Sequence, residues 1–414
     1  MTSTTVALPS PAPMARAAAR ADSRITVQLR ELTYVLIWIF IFSVPWQGVL
    51  SVPGLGTIAR GTGALAAVVA AAALYLGGRR HPIGDAVKLT AAFAFWVLLS
   101  IFWDYDPTFG MQRIVTMVQL ALMVYLLWEF GQGERRFRGV LAAWVAGSFV
   151  VGSAAALKAA TGLHAVRYSA SGTNPNELAY LVCLAVPIAW YLGLREQRPL
   201  LRLAYKIFPF FAIVTTLLTA SRSALILLVL ALAIIPVTIR WSPAATRITA
   251  WLAVVAAAAI GTSFLPSTPL QRLSTFSSGV SSGANGRFQL WHIGLQMVQD
   301  HPIIGVGTGA SRTIVAQSYP HSAGLSNTFL SIFAELGVIG IALFLLLLLV
   351  VVRGAVRRPG LEGRLAAVLS VTMIAGLVPL HLDYVKSTWV MIGFLALMAA
   401  RHPGWGQDST APIR

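Results

Sequence analysis

Two arginines stand where a charge is expensive. Arg222 sits in Thr219-Ala220-Ser221-Arg222-Ser223-Ala224, a very short turn between two long apolar runs, so its guanidinium lies at the edge of a low-dielectric layer. A cation there needs a counter-charge, a snorkelling path or an anionic ligand. Arg287 stands in Asn285-Gly286-Arg287-Phe288-Gln289-Leu290-Trp291-His292. Asn285 suits an N-cap, and Phe288, Trp291, Leu295 and Val298 recur at helical spacing, which predicts an amphipathic surface helix with Arg287 in its first turn. Free backbone N–H groups and the helix dipole favour an anion at such a point, and a guanidinium adds a two-donor fork suited to phosphate. Downstream, His321 in Tyr319-Pro320-His321-Ser322 can accept a proton near neutral pH.

The elements that must position these residues are membrane helices. The chain is 57% hydrophobic and 11% charged with a mean hydropathy of +0.74, and its apolar runs reach the roughly 20 residues needed to cross a bilayer. The fold class is therefore all-α, a polytopic transmembrane bundle; a membrane barrel would show short alternating segments in place of runs such as Ile341 to Val352. Twelve spans are expected, near 32–51, 61–77, 87–103, 112–130, 139–157, 177–194, 203–219, 222–239, 248–264, 327–352, 365–380 and 384–400. Residues 1–31 read as a disordered, uncleaved cytoplasmic tail, 32–264 as spans one to nine, 265–326 as a large outer loop holding a short amphipathic helix, 327–400 as spans ten to twelve, and 401–414 as a second cytoplasmic tail. The lone Cys183 has no partner for an internal disulfide.

The net charge of +17 invites a nucleic-acid reading, which its distribution excludes. With both termini inside, most basic residues fall in cytoplasmic tails and connectors, as the positive-inside rule requires, and connectors such as 78–88 are too short for a nucleic-acid platform. Nine cations remain outside: Arg60, Arg113, Lys158, Arg167, Arg222, Arg272, Arg287, Arg312 and Lys386. Gly305-Val306-Gly307-Thr308-Gly309 is turn chemistry, because no strand precedes it as a dinucleotide fingerprint demands.

An ordered set of residues carries a resemblance. Gly286-Arg287, Trp291, Met297, Asp300, Pro302, Gly305-Val306-Gly307, Asn327-Thr328-Phe329-Leu330, Glu335-Leu336-Gly337 and Gly340 are similar to the signature region of the O-antigen ligase and polymerase superfamily. Asn174-Pro175-Asn176-Glu177-Leu178-Ala179 and Ser221-Arg222-Ser223 resemble two upstream pieces of it. The resemblance implies an inner-membrane enzyme that moves a glycan from an undecaprenyl-diphosphate carrier to a hydroxyl on a glycan or lipid acceptor, by metal-independent inverting transfer without a cofactor. It puts Arg222 and Arg287 on the diphosphate, with Arg167, Asn176, Ser326 and Asn327 lining the same substrate cavity. Two arginines suit a departing diphosphate on physical grounds as well.

One departure stands out. Where the superfamily's ligases place a His before Asn, this chain has Ser326-Asn327, and His321, five residues upstream, is the candidate for the catalytic base. Glu335 reads as a paired helix residue, Asp383 and Lys386 as a local ion pair beside His381, and Asp104-Tyr105-Asp106-Pro107 as a capping turn or a sugar contact. Two other readings stay open: a transporter of an anionic or lipid-linked solute, which would be expected to show broken helices in two matching halves, and a catalytically silent component of a polysaccharide-assembly complex. Orientation is open to direct test. In a Cys183-free background, a cysteine at Ser282 should react with an impermeant maleimide in intact cells or spheroplasts; reaction only after lysis would reverse the assignment.

Overall fold

The computed structural model describes residues 13–52, 56–76, 81–161, 167–239, 252, 276–320 and 324–400. Among them, regular structure is helical apart from a two-residue antiparallel ladder, Ser51–Val52 with Gly56–Thr57. The helices are α1 (Pro13–Ser43), α2 (Ile58–Tyr75), α3 (Asp85–Leu99), α4 (Pro107–Phe130), α5 (Glu134–Ala160), α6 (Pro175–Arg195), α7 (Pro199–Leu218), α8 (Arg222–Leu232), α9 (Ile234–Thr238), α10 (Phe276–Asp300), α11 (Ala310–Ser318), α12 (Thr328–Val356), α13 (Gly360–Leu377) and α14 (Lys386–Ala400). Nine described helices are long and apolar enough to cross a membrane; Arg222–Thr238 and Lys386–Ala400 are apolar but shorter. The expected span 248–264 lies outside the described residues apart from Leu252, as does the tail 401–414.

Two expectations change. Residues 13–31, read as disordered, belong to α1, which enters the membrane segment without a break. The surface helix begins at Phe276 and not at Asn285, so Asn285 is an interior helix residue and Arg287 lies about three turns in. The orphan N–H groups of a helix start are therefore not beside Arg287, and the anion argument made from them falls away.

Helix α6 is the axis of the bundle. Its apolar side chains run all the way round, the pattern of a helix enclosed on every side, and α5, α7, α8 and α13 pack against it. A second aromatic core joins α3, α12 and α14 through Phe93, Phe344 and Trp389. Arginine-rich connectors gather at one end and donate across helix ends, as Arg138 does to the Arg195 carbonyl and Arg358 to that of Ala399. There Glu129, 1% exposed, accepts from Arg30 Nη2 at 2.8 Å and from the His81 backbone N–H at 2.9 Å, tying α1, α4 and the 81–84 connector together.

At the opposite end α12 is broken. Gly337 has φ 66° and ψ −167°, which splits the expected span into Thr328–Leu336 and Val338–Val356. Three carbonyls at the break are taken: Val306 N–H donates to Ala334 at 3.0 Å, Gly307 N–H to Glu335 at 2.9 Å and Trp96 Nε1 to Leu336 at 2.9 Å, while Val338 N–H donates to the Pro302 carbonyl at 2.9 Å. A β-carbon on Gly337 would lie 2.1 Å from the Ile303 carbonyl oxygen. Gly337→Ala should thus cost about 1–3 kcal/mol for a backbone conformation essentially reserved to glycine, and more for the displaced 302–307 segment. Thermal unfolding in detergent should show a clear drop for Gly337→Ala and none for Gly61→Ala, where nothing stands within 4 Å; equal curves would remove the break as a structural requirement.

Candidate functional site

The 301–327 segment is anchored by apolar contacts before any chemistry enters. Leu290, Met297, Val306, Ala310, Val315, Leu325 and Ala334 form a separate buried cluster, which seats α10 and α11 on the first half of α12. The packed face of α10 is therefore Leu290, Gly294 and Met297; Phe288 and Leu295 of the predicted stripe are exposed. Phe288 and Trp291 meet edge to face at 5.5 Å on that outward side, a surface suited to a membrane interface. Arg287 is half-buried there, and desolvation pushes its guanidinium down from the ordinary arginine value.

Behind this platform lies a buried polar cluster. Ser311 donates to Glu335 Oε1 at 2.5 Å, with Glu335 1% exposed. Thr308 and Tyr384 share a short hydroxyl contact. The Arg113 guanidinium stacks 4.7 Å over the Tyr384 ring and 5.1 Å over Phe109, which Arg312 also covers at 5.0 Å. Burial, with the Glu335 and Asp383 charges adding, pushes the Tyr384 phenol well above its usual value and holds it protonated.

His381 and Asp383 complete the cluster. His381 Nε2 lies 3.2 Å from Asp383 Oδ1, and Asp383 is 2% exposed. Burial pushes the His381 imidazole down from its usual value, Asp383 opposes this, and Arg113 and Arg312 add to the lowering. The nearby Asp383 charge favours the proton on Nε2, although neither Asp383 oxygen forms a hydrogen bond among the described residues, and Nδ1, likewise without a partner among them, lies near the Gly324 backbone. Thr328 pins the two segments together: its hydroxyl donates to the Leu380 carbonyl at 2.8 Å and accepts from Leu382 N–H at 3.0 Å. His381 thus reaches the 324–328 turn from a different element. Asp383 faces His381, and Lys386 donates to Gln47 Oε1 at 2.8 Å, so the expected Asp383–Lys386 ion pair is not formed.

The other predicted residues fall into two groups. Arg167 donates from Nη2 to Asn176 Oδ1 at 2.5 Å and from Nε to the Thr219 carbonyl at 3.0 Å, so Arg167, Asn176 and the turn carrying Arg222 form one unit. Ser221 caps α8 by accepting from Ala224 N–H, which places Arg222 in its first turn. Asn327 caps α12 by accepting from Leu330 N–H at 3.1 Å, directly after Ser326. Among the described residues the non-glycine positions with positive φ are Ala220 at 47° and Ser326 at 52°. Both adjoin a candidate site turn, and such backbone is retained at a cost of about 1–3 kcal/mol where the surroundings demand it. His321 lies outside the described residues. No group of three or more His, Cys, Asp and Glu side chains among the described residues could hold a metal ion.

Residues 207–345 match the O-antigen ligase family. The matched stretch begins in α7, takes in Arg222, Arg287, Ser326 and Asn327, and ends just beyond the break at Gly337. That stretch, about a third of the chain, is similar to the O-antigen ligase domain of the O-antigen ligase and polymerase superfamily. No curated protein matches the chain. The O-antigen ligase domain and the apolar helices together support a multi-pass membrane protein of polysaccharide biosynthesis, with glycan transfer in general as the activity that the domain implies. Arg167, Asn176, His381 and Asp383 lie outside the matched segment and are brought to it by the fold. His381 and Asp383 were visible as a neighbouring pair in sequence; their approach to Gly324, more than fifty residues away, had no local signal.

Asp104 gives the site a pH response. It accepts from Asp106 N–H at 3.0 Å, while Asp106 caps α4 and accepts from Thr313 at 2.7 Å, the capping reading of this turn. Burial raises the Asp104 carboxyl to about 6, against the backbone N–H groups of Asp106 and Thr308, which lower it. A folded value above the unfolded one contributes stability that is present below about pH 4 and lost as pH rises through 6. Because the group is half-exposed, the effect should stay under about 1 kcal/mol. Melting curves at pH 5 and 7 should show the wild type gaining at pH 5 relative to Asp104→Asn; parallel curves would refute the assignment.

Proposed function

We propose that the chain transfers a glycan from an undecaprenyl-diphosphate carrier to a hydroxyl of a glycan or lipid acceptor, on the periplasmic side of the inner membrane, with both termini cytoplasmic. The observation that carries this reading is the meeting, at one turn, of the family's Ser326-Asn327 register with the His381–Asp383 pair. The acceptor oxygen attacks the anomeric carbon from the side opposite the diphosphate and gives its proton to a histidine. The bond from that carbon to the diphosphate oxygen breaks, its electron pair leaves with the diphosphate, and configuration inverts. Arg222 and Arg287 bind the diphosphate and offset its growing charge, a task that two planar donors can perform without a metal. Arg167 and Asn176 hold the Arg222 turn, and Ser326 and Asn327 line the acceptor's approach.

Two histidines flank that turn, and each supports a version of the base. His321 is five residues from Ser326 in sequence. His381 reaches the turn in space with an Nδ1 that has no partner among the described residues, and burial keeps it neutral and able to accept a proton at pH 7. We favour His381.

The test is transfer from a purified lipid-linked donor. Arg222→Ala and Arg287→Ala should each abolish product while expression is retained, and the lysine variants should recover only part of it because the two-donor fork is lost. His381→Ala should lower turnover by roughly 10² to 10⁴, the usual worth of a positioned base. Ser326→His, which restores the superfamily register, should recover activity in that background. A loss confined to His321→Ala moves the base to the 321–323 segment; near-normal product from both arginine-to-alanine variants removes the mechanism.

A further inference from the structure

Two of the cations that depart from the basic end have no part in the site above. Arg60, on α2, and Lys386, at the start of α14, both line an elongated cavity of about 170 Å³ between α1, α2 and α4. They are close enough for each charge to act on the other, yet among the described residues neither forms an ion pair. Lys386 is held by a neutral partner, the Gln47 amide oxygen. Two like charges side by side at a membrane edge repel unless an anion sits between them.

Apart from Thr116 and Gln119, the rest of the cavity is apolar. Phe40, Ala67, Leu120, Met123 and Leu127 line it, and along α4 it runs from Thr116 to Leu127, roughly 16 Å at the helical rise. Charge is confined to one end. A ligand that satisfies both parts has a phosphate head and one apolar tail of acyl length, far shorter than a long polyprenyl chain.

We propose that this groove is a binding site for an anionic glycerophospholipid, with the phosphate on Arg60 and Lys386 and one acyl chain along α4. The headgroup then lies at the start of α14, three residues beyond Asp383, and steadies the 378–385 connector that presents His381.

Native mass spectrometry of the purified full-length chain with phosphatidylglycerol tests this without any glycan donor or acceptor. Wild type should retain one lipid, and the Arg60→Ala, Lys386→Gln double variant should lose retention by roughly ten- to thirtyfold, the loss expected of two basic residues at an anionic lipid surface. Ala67→Phe fills the apolar part, leaves both cations in place and should also release the lipid. If the double variant does not fold, Lys386→Gln alone is read in the same assay, with an intermediate loss expected. Arg222→Ala should retain the lipid like wild type, which separates this site from the proposed transfer reaction. Equal retention of phosphatidylcholine, equal retention by wild type and the cation variants, or displacement by an equimolar polyprenyl phosphate would each overturn the proposal.

Discussion

The site depends on a break in the backbone of one apolar helix. Where no water is at hand, each freed N–H or carbonyl costs several kcal/mol, so an interrupted membrane helix survives only if protein groups replace the missing bonds. At Gly337 the replacements come from residues 302–307 and from Trp96. That requirement brings Gly307 and Thr308 beside Asp104, sets Ser311 on Glu335, and turns the first half of α12 so that Asn327 and Thr328 meet the 380–383 connector. Gly305 shows how close the approach is, since a β-carbon there would lie 2.3 Å from the Glu335 carbonyl. Packing that tight is available only to a residue with no side chain and positive φ.

Charge inside this enclosure is balanced by arrangement more than by pairing. Glu335 and Asp383 are both nearly inaccessible, and Arg113 and Arg312 lie over aromatic faces instead of forming salt bridges with them. A guanidinium stacked on a ring is partly compensated by the ring's negative face and keeps its N–H groups free for other acceptors. Neutrality of His381 and protonation of Tyr384 follow from the same burial. The cluster therefore holds His381 as a neutral acceptor and Tyr384 as a protonated donor.

Local chemistry was legible in the sequence and long-range chemistry was not. Apolar runs of span length announced the helical bundle, and the Ser-Arg turn and the Asp106 cap were each readable from a few consecutive residues. Arg167 and Asn176 were expected to share one cavity wall, and a hydrogen bond joins them. The start of α10 was misread because Asn and Gly at 285–286 look like a boundary, whereas the helix continues through them from Phe276. Lys386 was assigned to Asp383 on a three-residue spacing that means proximity only within a helix; Asp383 precedes α14, so its partner is decided by the connector. The break at Gly337 left no mark beyond a glycine in an apolar run, since the partners that make it tolerable are thirty residues upstream or in α3.

The break also divides labour within one helix. From Val338 to Val356 α12 has roughly 19 residues, about 28 Å at the helical rise, which is close to the full thickness of a bilayer core. That half can be threaded into the lipid as the chain is made, on hydropathy alone, while Thr328–Leu336 contributes nothing essential to the crossing. The shorter half is a passenger of insertion: it acquires its place only when the preceding segment folds back onto its carbonyls. One half of α12 thus anchors the chain, and the other carries the candidate site.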